Sequence, residues 1–231
     1  MYLYGIDIYY IILVLPAIAF SMWAQAKVNS TFNRYSRERT YSGMTGYEAA
    51  RRILAANGLY HVNVERVSGN LTDHYDPKTN VIRLSDSVFG SNSVAAVGVA
   101  AHEAGHAVQY AQNYAPIKLR AAIIPITNVG STLSMPLVLL GFFMGMQPLV
   151  NLGLLLFATV AVFQLVTLPV EFNASRRAVN ALEMGGTMAE EEIRGVKKVL
   201  SAAAMTYVAA LAVSLANLLR LVLRFGGRDR D

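Results

Sequence analysis

AAIIPITNVGSTLSMPLVLLGFFMGMQPLVNLGLLLFATVAVFQLVTLPV, residues Ala121 to Val170, contains no charged side chain. A soluble domain of this size rarely hides so long an uncharged run. It is long enough for two membrane-crossing helices of ~20 residues each. Gly145-Met146-Gln147-Pro148 divides it as a turn, so 121–170 is read as a transmembrane hairpin. Composition agrees: 54% of the chain is hydrophobic and only 15% charged, too apolar for an ordinary soluble domain.

Two further spans flank the hairpin. Ile8 to Ala24 is apolar with Tyr9, Tyr10 and Trp23 near its ends, where aromatic rings anchor at membrane interfaces. Ala24-Gln25-Ala26 resembles a signal-peptidase site, but no Lys or Arg precedes Lys27 as a cleaved leader requires, so 1–26 is read as a retained span. Ala203 to Val222 is the fourth and least regular segment. Asn217 and Arg220 interrupt its second half, so 203–231 is read as a transmembrane or interfacial helix with a tail. Arg220 would then snorkel.

Charge sets the expected orientation. Lys27, Arg34, Arg37 and Arg39 follow the first span and only Asp7 precedes it, which puts the N-terminus outside and 27–120 in the cytoplasm. Counting spans forward, the hairpin goes out and returns, and 171–202 is cytoplasmic again. Parity then leaves the C-terminus outside, where Arg224, Arg228 and Arg230 fit poorly. The net charge of +5 is accounted for by juxtamembrane clusters near anionic lipid, and no nucleic-acid partner is called for.

The chemistry lies in the first cytoplasmic segment. His102-Glu103-Ala104-Gly105-His106 follows a run of small apolar residues, Val94 to Ala101, in a helix-favouring stretch. At helical spacing the two imidazoles project from one face and can grip one Zn²⁺ together, with Glu103 beside them as general base for a water. Buried histidines and a buried glutamate need partners, and a metal ion provides one. The pattern predicts a metal-dependent peptidase.

A hydrolytic zinc site takes three protein ligands and keeps one position open. The third must be found by elimination. The chain has no cysteine, and its other histidines, His61 and His74, lie upstream in strand and turn sequence. Downstream carboxylates are Glu171, Glu183, Glu190, Glu191, Glu192, Asp229 and Asp231. Thr187-Met188-Ala189-Glu190 reads as a capping box, which explains the glutamate run as helix N-terminal charge. The aspartates belong to the tail. Glu171 heads a helical face of small residues, Ala174, Ser175 and Ala178, then Leu182, against which another helix can come close. Glu183 falls off that face. Glu171 is thus the expected third ligand, although the same nitrogen and oxygen donors also suit other divalent ions.

A small module precedes the metal helix. Thr45-Gly46-Tyr47-Glu48 is a capping box, opening a helix that ends at Gly58. Alternation predicts strands at His61–Val67 and Val81–Leu84, with a turn at Asp76–Asn80. The sheet either binds substrate as an added strand or covers the helix. His74 and Tyr75 are candidate oxyanion or substrate contacts, beside the plainer reading of Asp73-His74-Tyr75-Asp76 as a hairpin turn.

Taken together, Thr31-Phe32-Asn33-Arg34-Tyr35-Ser36, Ser42-Gly43-Met44-Thr45-Gly46, Asp73-His74-Tyr75-Asp76-Pro77 and Ala100-Ala101-His102-Glu103-Ala104-Gly105-His106-Ala107 resemble the YugP-type family of membrane zinc metallopeptidases over essentially the whole chain. The layout is also similar to HtpX and the prenyl-protein proteases. There the zinc helix is followed by two spans and a helix with Glu-x-x-Ala-Asp. Glu171-Phe172-Asn173-Ala174-Ser175 stands at that place here, so Ser175 replaces the aspartate that supports a zinc histidine. The resemblance implies one Zn²⁺ per chain on His102, His106 and Glu171, with Glu103 as catalytic base.

The expected fold is a mostly α membrane protein: about four transmembrane helices with a small α+β zincin-like cytoplasmic module. The expected function is an integral-membrane zinc endopeptidase at the cytoplasmic membrane surface, acting on peptides or membrane proteins, with a role in quality control by analogy with HtpX. A membrane partner or a homo-oligomer is compatible with this reading. The rival is a zinc-binding scaffold that recruits a partner without cleaving it; the intact Glu103 argues against it. A transporter is disfavoured because the spans carry few polar groups.

Overall fold

A computed structural model describes residues 7–226 of the 231-residue chain. Arg228, Asp229, Arg230 and Asp231 of the tail lie outside the described residues. The chain divides into two compact units, one made of Met1–Ala24, Leu119–Leu168 and Thr206–Asp231, the other of Gln25–Lys118 and Pro169–Met205.

The first unit is helical. A π-helical stretch, Tyr10–Val14, runs into α1, Leu15–Tyr35, whose beginning belongs here. The uncharged run forms most of α5, Ala115–Met144, and the start of α6, Gln147–Met184, with the turn where Gly145 and Pro148 predict it. Gly145 takes φ +67°, a left-handed conformation that side chains resist. With α7, Glu190–Phe225, four helices among the described residues are long and apolar enough to cross a membrane. Small residues let α5 and α6 approach closely. A Cβ on Gly153 would lie 2.7 Å from the Ser134 carbonyl oxygen, and one on Gly141 2.7 Å from the Val150 nitrogen. Val138, Val150, Leu154 and Leu221 form the buried cluster of this unit.

The fourth segment, Ala203 to Val222, lies within one unbroken helix, and Asn217 and Arg220, which interrupt its apolar run, are satisfied inside the unit. Asn217 Nδ2 donates to the Val213 carbonyl at 2.9 Å. Arg220 donates through Nε and Nη2 to Asp7 Oδ2 at 3.0 and 2.8 Å, its guanidinium lies 5.0 Å from the Tyr10 ring centroid, and Arg224 pairs with the same carboxylate. Of the arginines that fit poorly on charge counting, Arg224 is thus partly neutralised by Asp7.

The second unit contains the three-stranded sheet. Central β3, Val81–Ser85, pairs in parallel with β1, Asn63–Val67, and antiparallel with β2, His74–Asp76. The expected hairpin turn, held by Asp76, joins β2 to β3, and within the Asp73–Asp76 cluster His74–Asp76 form an edge strand leading into it. Asp76 accepts from the Thr79 hydroxyl at 2.7 Å and the Lys78 amide at 2.9 Å, which hold its carboxyl down at about 2.

Around the sheet lie α2, Gly46–Ala56, the short α3, Asp86–Phe89, and α4, Val94–Ala111. Ile53, Leu54, Ile82, Leu84, Val88 and Val97 fill the core between them. Both halves of the Thr45–Glu48 capping box are present, and Gly58 takes φ +71° beyond the end of α2. Thr45→Ala removes an acceptor for the Glu48 amide and is expected to lower stability by about 1 kcal/mol, read from chemical denaturation. α7 starts at Glu190, later than a Thr187 cap implies, and the Ala189 amide donates to Glu192 Oε2 at 2.6 Å.

Candidate metal centre

α4 is built almost wholly of small residues on its buried side. Ala100, Ala101 and Ala104 are fully inaccessible, and Gly105 faces the α6 backbone with no side chain between them. On α6, Ala174 and Ala178 are equally buried. This small-to-small packing brings Glu171 of α6 onto the histidine pair of α4.

The trio converges. His102 Nε2 lies 3.2 Å and His106 Nε2 3.5 Å from one oxygen of Glu171, Oε2, and the three ligand atoms fall within 4.8 Å of one another. Zinc bond lengths of about 2.0–2.2 Å at a tetrahedral angle require ligand atoms roughly 3.4 Å apart, which both distances match. Two nitrogens and a carboxylate oxygen are also the donor set of hydrolytic zinc sites. Zinc fits these residues. Glu171 is 3% exposed, and its charge, unfavourable so far from water without a partner, faces the two imidazoles.

Each imidazole is oriented from behind. His102 Nδ1 lies 3.1 Å from the Ser175 hydroxyl and His106 Nδ1 3.0 Å from Gln109 Oε1. The Gln109 oxygen can only accept, so the proton sits on His106 Nδ1 and the Nε2 lone pair points at the shared locus, and the Ser175 hydroxyl accepts from His102 Nδ1 in the same way when that ring ligates through Nε2. The serine in the aspartate's place thus touches the ring that an aspartate would hold.

Glu103 sits on α4 next to His102 and is 8% exposed. A second carboxyl lies on the same side. Asp73, at the entry to β2, accepts from the Ser85 amide at 2.7 Å and from its hydroxyl at 3.0 Å. Burial pushes the Asp73 carboxyl above the usual carboxylate range, the Ser85 bonds oppose this, and the Glu103 charge adds to the rise. The two other candidates from the sequence bond elsewhere. His74 Nδ1 meets the Thr72 carbonyl at 2.9 Å, and the Tyr75 hydroxyl donates to Asn80 Oδ1 at 3.0 Å, while the Tyr75 ring packs on Tyr110 of α4 at 5.7 Å. Glu183, set aside in the sequence, pairs with Lys197 at 2.8 Å.

Sequence reading missed Gln109. It is fully inaccessible, and an uncharged amide in a helix made mainly of small apolar residues, three positions after His106, was the available signal. A cavity of about 630 Å³ lies among α2, α4 and the end of α6, bordered by Ile53, Gly105, Val108, Arg177 and Leu182.

Comparison with known proteins agrees with this geometry. Residues 10–226 match the family described as "Putative neutral zinc metallopeptidase". The chain is 50% identical over 223 residues to the "Putative membrane protease YugP" of Bacillus subtilis (strain 168), covering 96% of this chain and 99% of that protein. No solved structure matches significantly. A match that spans the four apolar helices as well as the zinc-fitting trio makes the chain a member of this zinc metallopeptidase family.

Proposed function

We propose that the protein is an integral-membrane zinc endopeptidase working at the cytoplasmic membrane surface. The reading rests on one observation above all: the convergence of His102 Nε2, His106 Nε2 and Glu171 Oε2 beside a buried Glu103. In this reading 27–120 and 171–202 form the cytoplasmic catalytic part, and 1–26, 121–170 and 203–231 the membrane part, with the N-terminus outside.

His102, His106 and Glu171 hold the ion, and Ser175 and Gln109 keep the imidazoles in the ligating tautomer. When bound, zinc supplies Lewis acidity that makes water nucleophilic at neutral pH and polarises a carbonyl. Glu103 takes one proton from the water as its oxygen attacks the peptide carbonyl carbon. The C–N bond then breaks, Glu103 returns the proton to the departing amine, and the products are an amine and a carboxylic acid, which releases the second water proton to solvent as it ionises.

Extended substrate has a place to pair. Among the described residues β2 pairs with β3 alone, and its Tyr75 packs against the metal helix, so the second edge can take a substrate backbone as an added strand. Glu171 follows the uncharged run directly in sequence, which favours substrates that are membrane proteins or membrane-associated peptides. Removal of such proteins when damaged is the role that fits, by analogy with HtpX.

The test is cleavage of unfolded casein by the detergent-purified chain. Stripping the metal with 1,10-phenanthroline should lower the rate more than about a hundredfold, and one equivalent of zinc should restore it. A chain that binds one zinc and cleaves neither casein nor transmembrane-segment peptides would instead be a scaffold.

A further inference from the structure

Behind His106 runs a chain of hydrogen bonds whose direction is fixed from its outer end. Arg177, on α6, carries donors only. Its Nε donates to Asn173 Oδ1 at 2.7 Å, Nη1 bonds Gln112 Oε1, and the guanidinium lies over the Tyr114 ring at 5.9 Å. Asn173 must therefore turn its oxygen, not its amino group, to this junction. Gln109 Nε2 donates to that same oxygen at 3.0 Å and to the Val170 carbonyl at 2.8 Å. Two acceptors on one side settle which end of the Gln109 amide is nitrogen. Its Oε1 is left for His106 Nδ1, 3.0 Å away, and an oxygen without a proton needs one on that nitrogen. His106 is thereby left with the Nε2 lone pair toward the Glu171 carboxylate. Gln109 is 0% exposed, so water offers it no competing partner.

We propose that Arg177, Asn173 and Gln109 form a positioning relay that fixes the ligating tautomer of His106, so that a guanidinium touching no metal-ligand atom sets part of the zinc affinity. The inference rests on the zinc-site reading above. Its logic is one of polarity: reversing the Gln109 amide would set donor against donor and acceptor against acceptor in a place closed to solvent, and reversing the Asn173 amide would turn its amino group onto the donors of Arg177 and Gln109. Packing alone makes no such demand, because any side chain of similar volume fills the space.

Zinc affinity of the detergent-purified full chain, measured by competition with a chromophoric chelator, separates the two. Gln109→Leu is expected to weaken zinc binding by about 10–100-fold, the usual effect of losing the partner behind a ligating histidine. Asn173→Leu and Arg177→Met should weaken it in the same sense by roughly tenfold. Asn173→Asp keeps an acceptor facing both Arg177 and Gln109 and should bind zinc like the wild type. A packing role predicts the reverse order, with the aspartate at least as damaging as the isosteric leucine. Arg177→Met alters a half-exposed position, so its affinity is readable even if the Asn173 variants fold poorly. The relay is overturned if all variants bind like the wild type, or if Asn173→Asp is as weak as Asn173→Leu. A wild-type chain that takes up no zinc at all overturns the site reading itself.

Discussion

Glu103→Gln is expected to leave one zinc per chain and to lower kcat for peptide hydrolysis by about 10²–10⁴-fold, the range for loss of a general base. Glutamine has the size and shape of glutamate, so packing around this 8%-exposed side chain is preserved. What disappears is the ability to accept a proton from water and return it to an amine. The metal should stay, because the converging ligand atoms belong to His102, His106 and Glu171 and none to Glu103. Metal analysis and turnover, measured on the same preparation, check both halves. If the variant keeps turnover within about tenfold of wild type, the base is another group. Asp73, the carboxyl whose pKa feels the Glu103 charge, would be the first to examine.

Gly105→Ala is expected to weaken zinc binding and to destabilise the protein by about 1–3 kcal/mol, although it adds only one methyl group. A Cβ at this position would lie 2.7 Å from the Ala174 carbonyl oxygen and 3.3 Å from its carbon. Those atoms are α6 backbone. They cannot swing aside as a side chain would, so the helices must separate locally. The separation falls between His102 and His106 on one helix and Glu171 on the other, where distances of 3.2 and 3.5 Å leave little slack for a common ion. Thermal unfolding with and without zinc, and zinc affinity, measure the two effects. Gly90→Ala is the control, since nothing lies within 4 Å of a Cβ there and its φ of −98° is open to alanine. Equal unfolding temperatures and affinities for the Gly105 variant and the wild type would show that the helices are not held at backbone contact.

Much of the architecture was legible because it is written locally. An uncharged run longer than one span has few places to go but a membrane, and a single Gly-Met-Gln-Pro turn divides it. The Thr45–Glu48 box and the left-handed Gly58 are local devices too, and both are as the sequence predicts. The pair His102 and His106 follows from helical periodicity alone, and Glu171 from the scarcity of other carboxylates on a small-residue face.

Partners distant in sequence were not legible. β2 was hidden because three residues carry no measurable alternation, and its strand character comes from pairing with β3. The partner of Arg220 and Arg224 was not visible either, since Asp7 lies 213 residues from Arg220. Gln109, Asn173 and Arg177 bond to one another across two helices, more than sixty positions apart in sequence at the first step. The sequence by itself determined the spans, the metal helix and the identity of the three converging residues, because periodicity, charge and residue chemistry act over a few neighbouring positions. Only the tertiary structure decided how close α4 and α6 approach, which nitrogen each histidine offers and what holds it there. Those depend on side chains that meet only after the chain has packed.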